Sequence, residues 1–361
     1  MSIREKVGQL LMIGFQGTKL SSEFIDQLQE YRPGGVILFS RNLVDAEQIA
    51  QLTNSLQEHA PDSPLLIAID QEGGRVSRLP QGFTIFPSAS TVATCQSPDI
   101  AYGVAEITAK ELRAVGINMN MAPVLDVNSN PTNPIIGNRA YSNHPSQVCT
   151  FGQAIIQGLE NNGVIPCGKH FPGHGDTTTD SHKTLPMVNA DRGRLNEIEL
   201  EPFRHAIQQG LPTIMTAHVH YPALDTEAPA TLSRPILTDL LRKELGFVGV
   251  TLTDDMEMRA ILDHSTIGEA SVRSLQAGAD MILVCHQRES QNEVVHAVEE
   301  ALNREELGLD ILQASVNRIS FLKQKYLSSF KSVDPSKVTQ AVGIPEHQAF
   351  LGEIQRVAAR I

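Results

Sequence analysis

A chain of 361 residues with 41% hydrophobic and 19% charged side chains can bury one large core, and it carries no signature of disorder. Its 41 Asp and Glu outnumber its 29 Lys and Arg, a formal charge of −12, so no basic footprint for nucleic acid or an anionic membrane is present; the expected partner is a small molecule that is not strongly anionic. Cys95, Cys149, Cys167 and Cys285 are far apart and form no CxxC pair, which argues against both a disulfide framework and a zinc knuckle and suits a reducing compartment.

The first fifteen residues mix acid and base ahead of a short apolar run without a small-residue cleavage site, unlike a secretory signal. No stretch reaches the ~18 apolar residues of a spanning helix, so the expected location is cytoplasmic. Strand-like apolar runs then recur at residues 10–15, 35–40, 65–70, 118–127, 164–170, 212–219, 249–255 and 280–284. Between them, residues 22–31, 45–59, 98–115, 147–161, 195–209, 234–245 and 268–277 carry apolar side chains at helical spacing, with Gly or Pro near many ends. Eight such alternations predict a single-domain (β/α)8 TIM-type barrel of the α/β class, with a doubly wound open sheet as the alternative. No Gly-rich phosphate fingerprint follows any strand. Past Leu327 the pattern breaks at 331–335 and a terminal helix is expected over 344–361. The expected organisation is a catalytic barrel over 1–330 and a C-terminal helical extension over 331–361, packed on the barrel.

Six strand runs end in polar residues: Ser40, Asp70, Asp126, Lys169 with His170, His218 and Asp254. Barrel enzymes keep their chemistry on that C-terminal rim. The segment from Lys169 to His182, KHFPGHGDTTTDSH, is too polar for core and too glycine-rich for a helix, and it leaves a strand at Pro172-Gly173. It reads as an active-site loop able to close over a ligand, the alternative being a solvated surface loop. Residues 249–254 deliver a second group, the Asp254 carboxylate, to a strand tip. Asp255 competes with it, and a helix N-cap is the other reading of Asp254.

Four motifs in order, Asp70-Gln-Glu-Gly-Gly-Arg-Val-Ser-Arg78, Ile136-Gly-Asn-Arg139, Lys169-His-Phe-Pro-Gly-His-Gly175 with Asp180-Ser-His182, and Gly249-Val-Thr-Leu-Thr-Asp254, resemble those of the β-N-acetylglucosaminidases of glycoside hydrolase family 3. The resemblance runs from residue 1 to about 325. Glu257 departs from the small or polar residue usual three positions after the nucleophile. What the resemblance implies is a retaining exo-β-N-acetylglucosaminidase (a beta-N-acetylhexosaminidase) acting on muropeptides derived from peptidoglycan. Asp254 would be the nucleophile that forms a glycosyl-enzyme, and His182 the acid and base, oriented by Asp180. Such chemistry needs an ionised carboxylate on one face of the sugar and a proton donor on the other. An imidazole, with an ordinary pKa of ~6.5, serves both proton transfers with little tuning. Asp70 would accept from sugar hydroxyls, and Arg78, Arg139, Lys169 and His170 would donate to hydroxyl and acetamido oxygens. Glu72 and Arg75 would brace the barrel as buried ion pairs, and His174 would stiffen the loop; the roles of Asp126 and His218 stay open.

The resemblance implies no cofactor, no metal, and a monomer, with a homodimer as the alternative. Three other functions compete. A family 3 β-glucosidase or xylosidase commonly draws its acid from a second domain, whereas this chain carries Asp180-Ser-His182. A zinc hydrolase would use His170, His174, Asp180, His182 and His218, though their spacing matches no familiar metal motif. A non-catalytic sugar-binding barrel would have lost the nucleophile or the His182 and Asp180 pair, and this chain has both.

Overall fold

Eight parallel strands close into a barrel in the computed structural model of the chain, which describes residues 1–60, 63–181, 183–328 and 331–360. They are β1 (Leu11–Ile13), β2 (Gly35–Leu38), β3 (Leu66–Ile69), β4 (Met119–Asn120), β5 (Ile165–Phe171), β6 (Thr213–Thr216), β7 (Val250–Asp255) and β8 (Met281–Val284). Ile13 pairs with Val36 on one side and with Val284 on the other, so the first strand closes on the last and the open-sheet alternative falls. Each strand lies between the barrel interior and the helical layer and is buried on both faces, which is why the strands read as continuous apolar runs and not as alternations.

Two local expectations change in the structure, each because of a proline. The run at 118–127 pairs as a ladder only at Met119–Asn120, because Pro123 has no amide to donate. The chain rejoins β5 beyond it, where the Leu125 amide donates to the Lys169 carbonyl at 2.7 Å. The helix expected over 195–209 is two, Arg192–Glu197 and Glu201–Gln208. Pro202 opens the second, where a missing amide costs nothing. Other helices start on side-chain caps: Asp45 accepts the Gln48 amide at 2.9 Å, and Thr266 with Glu269 forms a capping box. The segment Pro235–Glu244 is wound as a π-helix, its last turn closed by the Leu245 amide on the Leu240 carbonyl.

Helices Arg288–Asn303 and Leu309–Leu327 follow β8 and complete the outer layer. The helix Pro345–Ala358 lies against the helix Pro98–Ala114. There Phe350 meets Phe86 edge-on and fills the space that a side chain at Gly103 would take. The buried Glu111 carboxylate ties these pieces, accepting the Thr84 and Gly343 amides at 2.8 Å and pairing with His347 at 2.7 Å. Among the described residues, no helix is long and apolar enough to cross a membrane.

Candidate active site

A cavity of about 200 Å³ opens at the C-terminal ends of the strands. Asp70 and Arg78 line it after β3, Arg139 after β4, Lys169 and His170 on β5, and Asp254 at the tip of β7. Larger hollows of about 310 and 580 Å³ lie at the opposite ends of the strands, around Pro33 and Pro212, where barrel residues serve stability.

The cavity floor is a chain of alternating charge. Asp126 pairs with His170 at 2.7 Å, and Arg139 reaches the far ring nitrogen of His170 at 3.4 Å. Arg139 also grips Glu72 with two bonds of 2.8 and 2.9 Å. Glu72 meets Lys169 at 2.6 Å, Lys169 meets Asp70 at 2.7 Å, and Arg78 stands 3.9 Å from Asp70. Burial alone would discharge the two central groups, raising the Glu72 pKa and lowering that of Lys169. The charges of Lys169 and Arg139 reverse this for Glu72, which is held far below the usual carboxylate range. Asp70 and Glu72 likewise hold the Lys169 pKa up. The floor therefore keeps fixed charges, a surface able to hydrogen-bond a polyol densely. Arg75, expected beside Glu72 as a brace, donates to the Ile135 carbonyl.

At β7 two neighbouring carboxylates, Asp254 and Asp255, line the cavity and differ in what holds them. Asp255 accepts the Glu257 amide at 3.2 Å and the Cys285 amide at 3.3 Å, and its other oxygen meets His286 at 3.3 Å. Asp254 takes the Asp255 amide at 2.8 Å and faces the cavity. Burial pushes the Asp254 carboxyl up, but over the acidic range in which it titrates the charges of His170 and His218, with the Asp255 amide, outweigh that and hold it low. Asp254 is thus an ionised carboxylate at neutral pH, sparsely hydrogen-bonded among the described residues, the state a nucleophile needs. His218 stands behind it. Its Nε2 donates to the Asp255 carbonyl at 3.0 Å, and burial lowers its pKa, so it buttresses the strand tip as a neutral ring.

The loop leaving β5 is built from inside. His174 is buried, its Nδ1 2.9 Å from the Thr177 hydroxyl and its Nε2 3.2 Å from that of Ser181. Burial and the charge of His170 push its pKa down to about 4, so it is a neutral strut at physiological pH. Asn133 donates to the carbonyls of His174 and Gly175, and Tyr221 to that of Gly173. A side chain at Gly175 would collide with the Val127 carbonyl at 1.6 Å, so only glycine lets the loop run this close to the rim. The far end docks on the segment after β7, where Ala260 donates to the Ser181 carbonyl, and Ser181 itself lines the cavity beside Asp254. Asp180 precedes it, its carbonyl capped by the amides of Lys183 and Thr184. His182 lies outside the described residues. Among the described residues, no group of three or more His, Cys, Asp and Glu side chains is placed to hold a metal ion.

Residues 2–322 match the glycosyl hydrolase family 3 N-terminal domain. The chain belongs to glycosyl hydrolase family 3. Among curated relatives, this family 3 chain is 39% identical to beta-hexosaminidase A of Pseudoalteromonas piscicida across 94% of its own length, and it spans 61% of that protein. A beta-hexosaminidase of Nitrosomonas eutropha is also 39% identical, with 80% of this chain and 84% of that protein aligned. Among solved structures, the family 3 beta-N-acetylglucosaminidase from Paenibacillus sp. str. FPU-7 superposes with a TM-score of 0.96 at 41% identity, covering 99% of this chain and 69% of that one. NagZ from Neisseria gonorrhoeae, in complex with N-trifluoroacetyl-D-glucosamine, gives 0.79 at 32% identity, covering 97% of this chain and 98% of that one.

Sequence reasoning left several cavity residues of this family 3 chain unassigned. Phe39 and His286 line the same cavity and lie 5.5 Å apart ring to ring, with the Arg41 guanidinium 4.4 Å over Phe39. Their one sequence signal was position, just beyond the ends of β2 and β8.

Proposed function

We propose that this family 3 glycoside hydrolase is a retaining exo-β-N-acetylglucosaminidase. Asp254 attacks the anomeric carbon, and His182, oriented by Asp180, first protonates the leaving oxygen and then deprotonates the attacking water. The observation that carries the reading is that Ser181, beside the Asp180 and His182 pair in sequence, lines the same cavity as the Asp254 carboxylate. A flap hung from β5 and a carboxylate on β7 thereby meet at one small hollow whose floor presents Asp70, Arg78, Arg139, Lys169 and His170 as sugar-binding groups. A floor of fixed charges within about 200 Å³ suits a single terminal sugar and disfavours internal cleavage of a long chain. The beta-hexosaminidase names of the relatives and the sugar derivative bound to the gonococcal structure support N-acetylglucosamine as that sugar.

Muropeptides as the physiological substrate and a cytoplasmic location complete the reading, the latter in keeping with four unpaired cysteines. The division into a catalytic barrel over 1–330 and a packed tail over 331–361 belongs to it as well, supported by the contacts of Phe350 and His347 with the barrel. The test is turnover of paired chromogenic β-N-acetylglucosaminide and β-glucoside, followed by a digest of muropeptides. Release of N-acetylglucosamine with β configuration in the first-formed product supports the proposal. Preference for the glucoside, or inversion at the anomeric carbon, contradicts it.

A further inference from the structure

His170 was expected to donate hydrogen bonds to the sugar, yet its two ring nitrogens already have partners that dictate where its proton sits. On one side stands Asp126, whose carboxylate is fully buried and collects three donors. Oδ1 accepts the backbone amides of His170 at 3.2 Å and His174 at 2.7 Å, and Oδ2 lies 2.7 Å from His170 Nδ1. Burial pushes the Asp126 carboxyl up, but the charge that His170 carries in acid, the hydrogen bond from its ring and the His174 amide outweigh this, so at neutral pH the group is an anion that can only accept. Nδ1 must therefore carry a hydrogen.

On the other side stands Arg139, which has no lone pair to offer. Its Nε and one hydrogen of its terminal nitrogen are spent on Glu72, and the same terminal nitrogen faces His170 Nε2 at 3.4 Å. Nε2 must therefore accept. An anion on Nδ1 and an obligate donor on Nε2 are compatible with one state of the ring only, the neutral form protonated at Nδ1.

We propose that Asp126 and Arg139 lock His170 as a hydrogen-bond acceptor, so that Nε2 accepts a hydrogen bond from a sugar hydroxyl while Arg139 donates one to that hydroxyl's oxygen. Asp126 is the positioning residue of this pair. The site then recognises a group that is donor and acceptor at once, which a hydroxyl is and an acetamido or ether oxygen is not. Asp126 also ties the floor to the flap, since its Oδ1 holds the amide of His174, the strut of the loop. The inference rests on the reading of the cavity as a sugar site, but its first test needs no sugar.

Histidine-selective 15N labelling of the sugar-free protein, with long-range 1H–15N correlation at neutral pH, reports the tautomer of each ring. His170→Gln assigns the signal by its loss. The expected pattern for His170 is a protonated Nδ1 and an unprotonated Nε2; an Nε2-protonated ring or an imidazolium overturns the proposal. In Asp126→Asn the amide opposes either the ring Nδ1–H or the two backbone amides. We expect the His170 tautomer to switch and kcat/KM on the β-N-acetylglucosaminide to fall by about 10²-fold or more, as wrong-tautomer histidines do, with a retained circular dichroism spectrum. An unchanged tautomer and unchanged kcat/KM in a folded Asp126→Asn protein removes Asp126 from the role. Should the wild-type ring show the expected state while no glycoside is turned over, the sugar reading fails and the locked tautomer stands.

Discussion

The carbonyl of Ser181 accepts a 3.3 Å hydrogen bond from the amide of Ala260, which fastens the tip of the β5 flap to the segment that follows the β7 carboxylates. Two distant stretches of sequence meet there at the same cavity. On the proposed mechanism the flap's path, and not only its side chains, should set the rate.

Gly175→Ala tests that path. A methyl group there would meet the Val127 carbonyl at 1.6 Å, so the loop must shift while the barrel beneath it does not. The expected outcome is a fall in kcat of roughly 10- to 100-fold, the scale on which misplaced catalytic groups cost rate, with a melting temperature within a few degrees of wild type. Steady-state kinetics alongside thermal denaturation checks it.

Glu72 sits between Lys169 and Arg139, and Glu72→Ala takes the carboxylate partner from Arg139 and leaves Lys169 with Asp70 alone. Breaking a buried pair on one side costs about 3–5 kcal/mol, so the variant should unfold at markedly lower urea at pH 7. The pH dependence follows from the depressed folded-state pKa of Glu72. Its stabilisation is fully present above the ordinary carboxylate range of the unfolded chain and is lost as pH falls towards the folded value. The gap between wild type and Glu72→Ala should accordingly narrow in acid; urea midpoints at pH 7 and pH 3.5 measure it.

His182→Ala should divide substrates by leaving group. An aryl glycoside with an acidic phenol departs without a proton, whereas a sugar alcohol does not, so the loss should be at least about 10²-fold larger for the latter. Asp180→Asn should follow the same division with smaller losses. Equal losses on both substrates would remove the acid role. Parallel kinetics on nitrophenyl and disaccharide substrates decides.

Much of this was legible in the chain because the barrel's logic is periodic. Apolar runs such as 65–69 mark strands buried on both faces, and the polar residue that ends each run marks the rim. Asp70, Lys169, His170 and Asp254 emerge from that rule alone. What stayed dark depends on register between strands. Nothing local to Asp126 says that it will sit under His170, because the contact is made across β4 and β5 after Pro123 has broken the ladder. His218 is opaque for the same reason, as its partner is a backbone carbonyl on the next strand. The splitting of the 195–209 helix was readable in Pro202 and was overridden by helical spacing on both sides of it.

Asp254→Asn should reduce kcat by at least about 10³-fold, since an amide cannot form the glycosyl ester, while N-acetylglucosamine still binds through Asp70 and Lys169. Isothermal titration with the sugar, beside kinetics, separates the two effects.

The most direct measurement is the identity of the residue that carries the sugar. After incubation with a slow fluorinated β-N-acetylglucosaminide, peptide mapping by tandem mass spectrometry should find one glycosyl adduct, and fragmentation should place it on Asp254. An adduct on Asp255 or any other residue, or turnover of the compound with no adduct on the enzyme, would contradict the assignment of Asp254 as nucleophile.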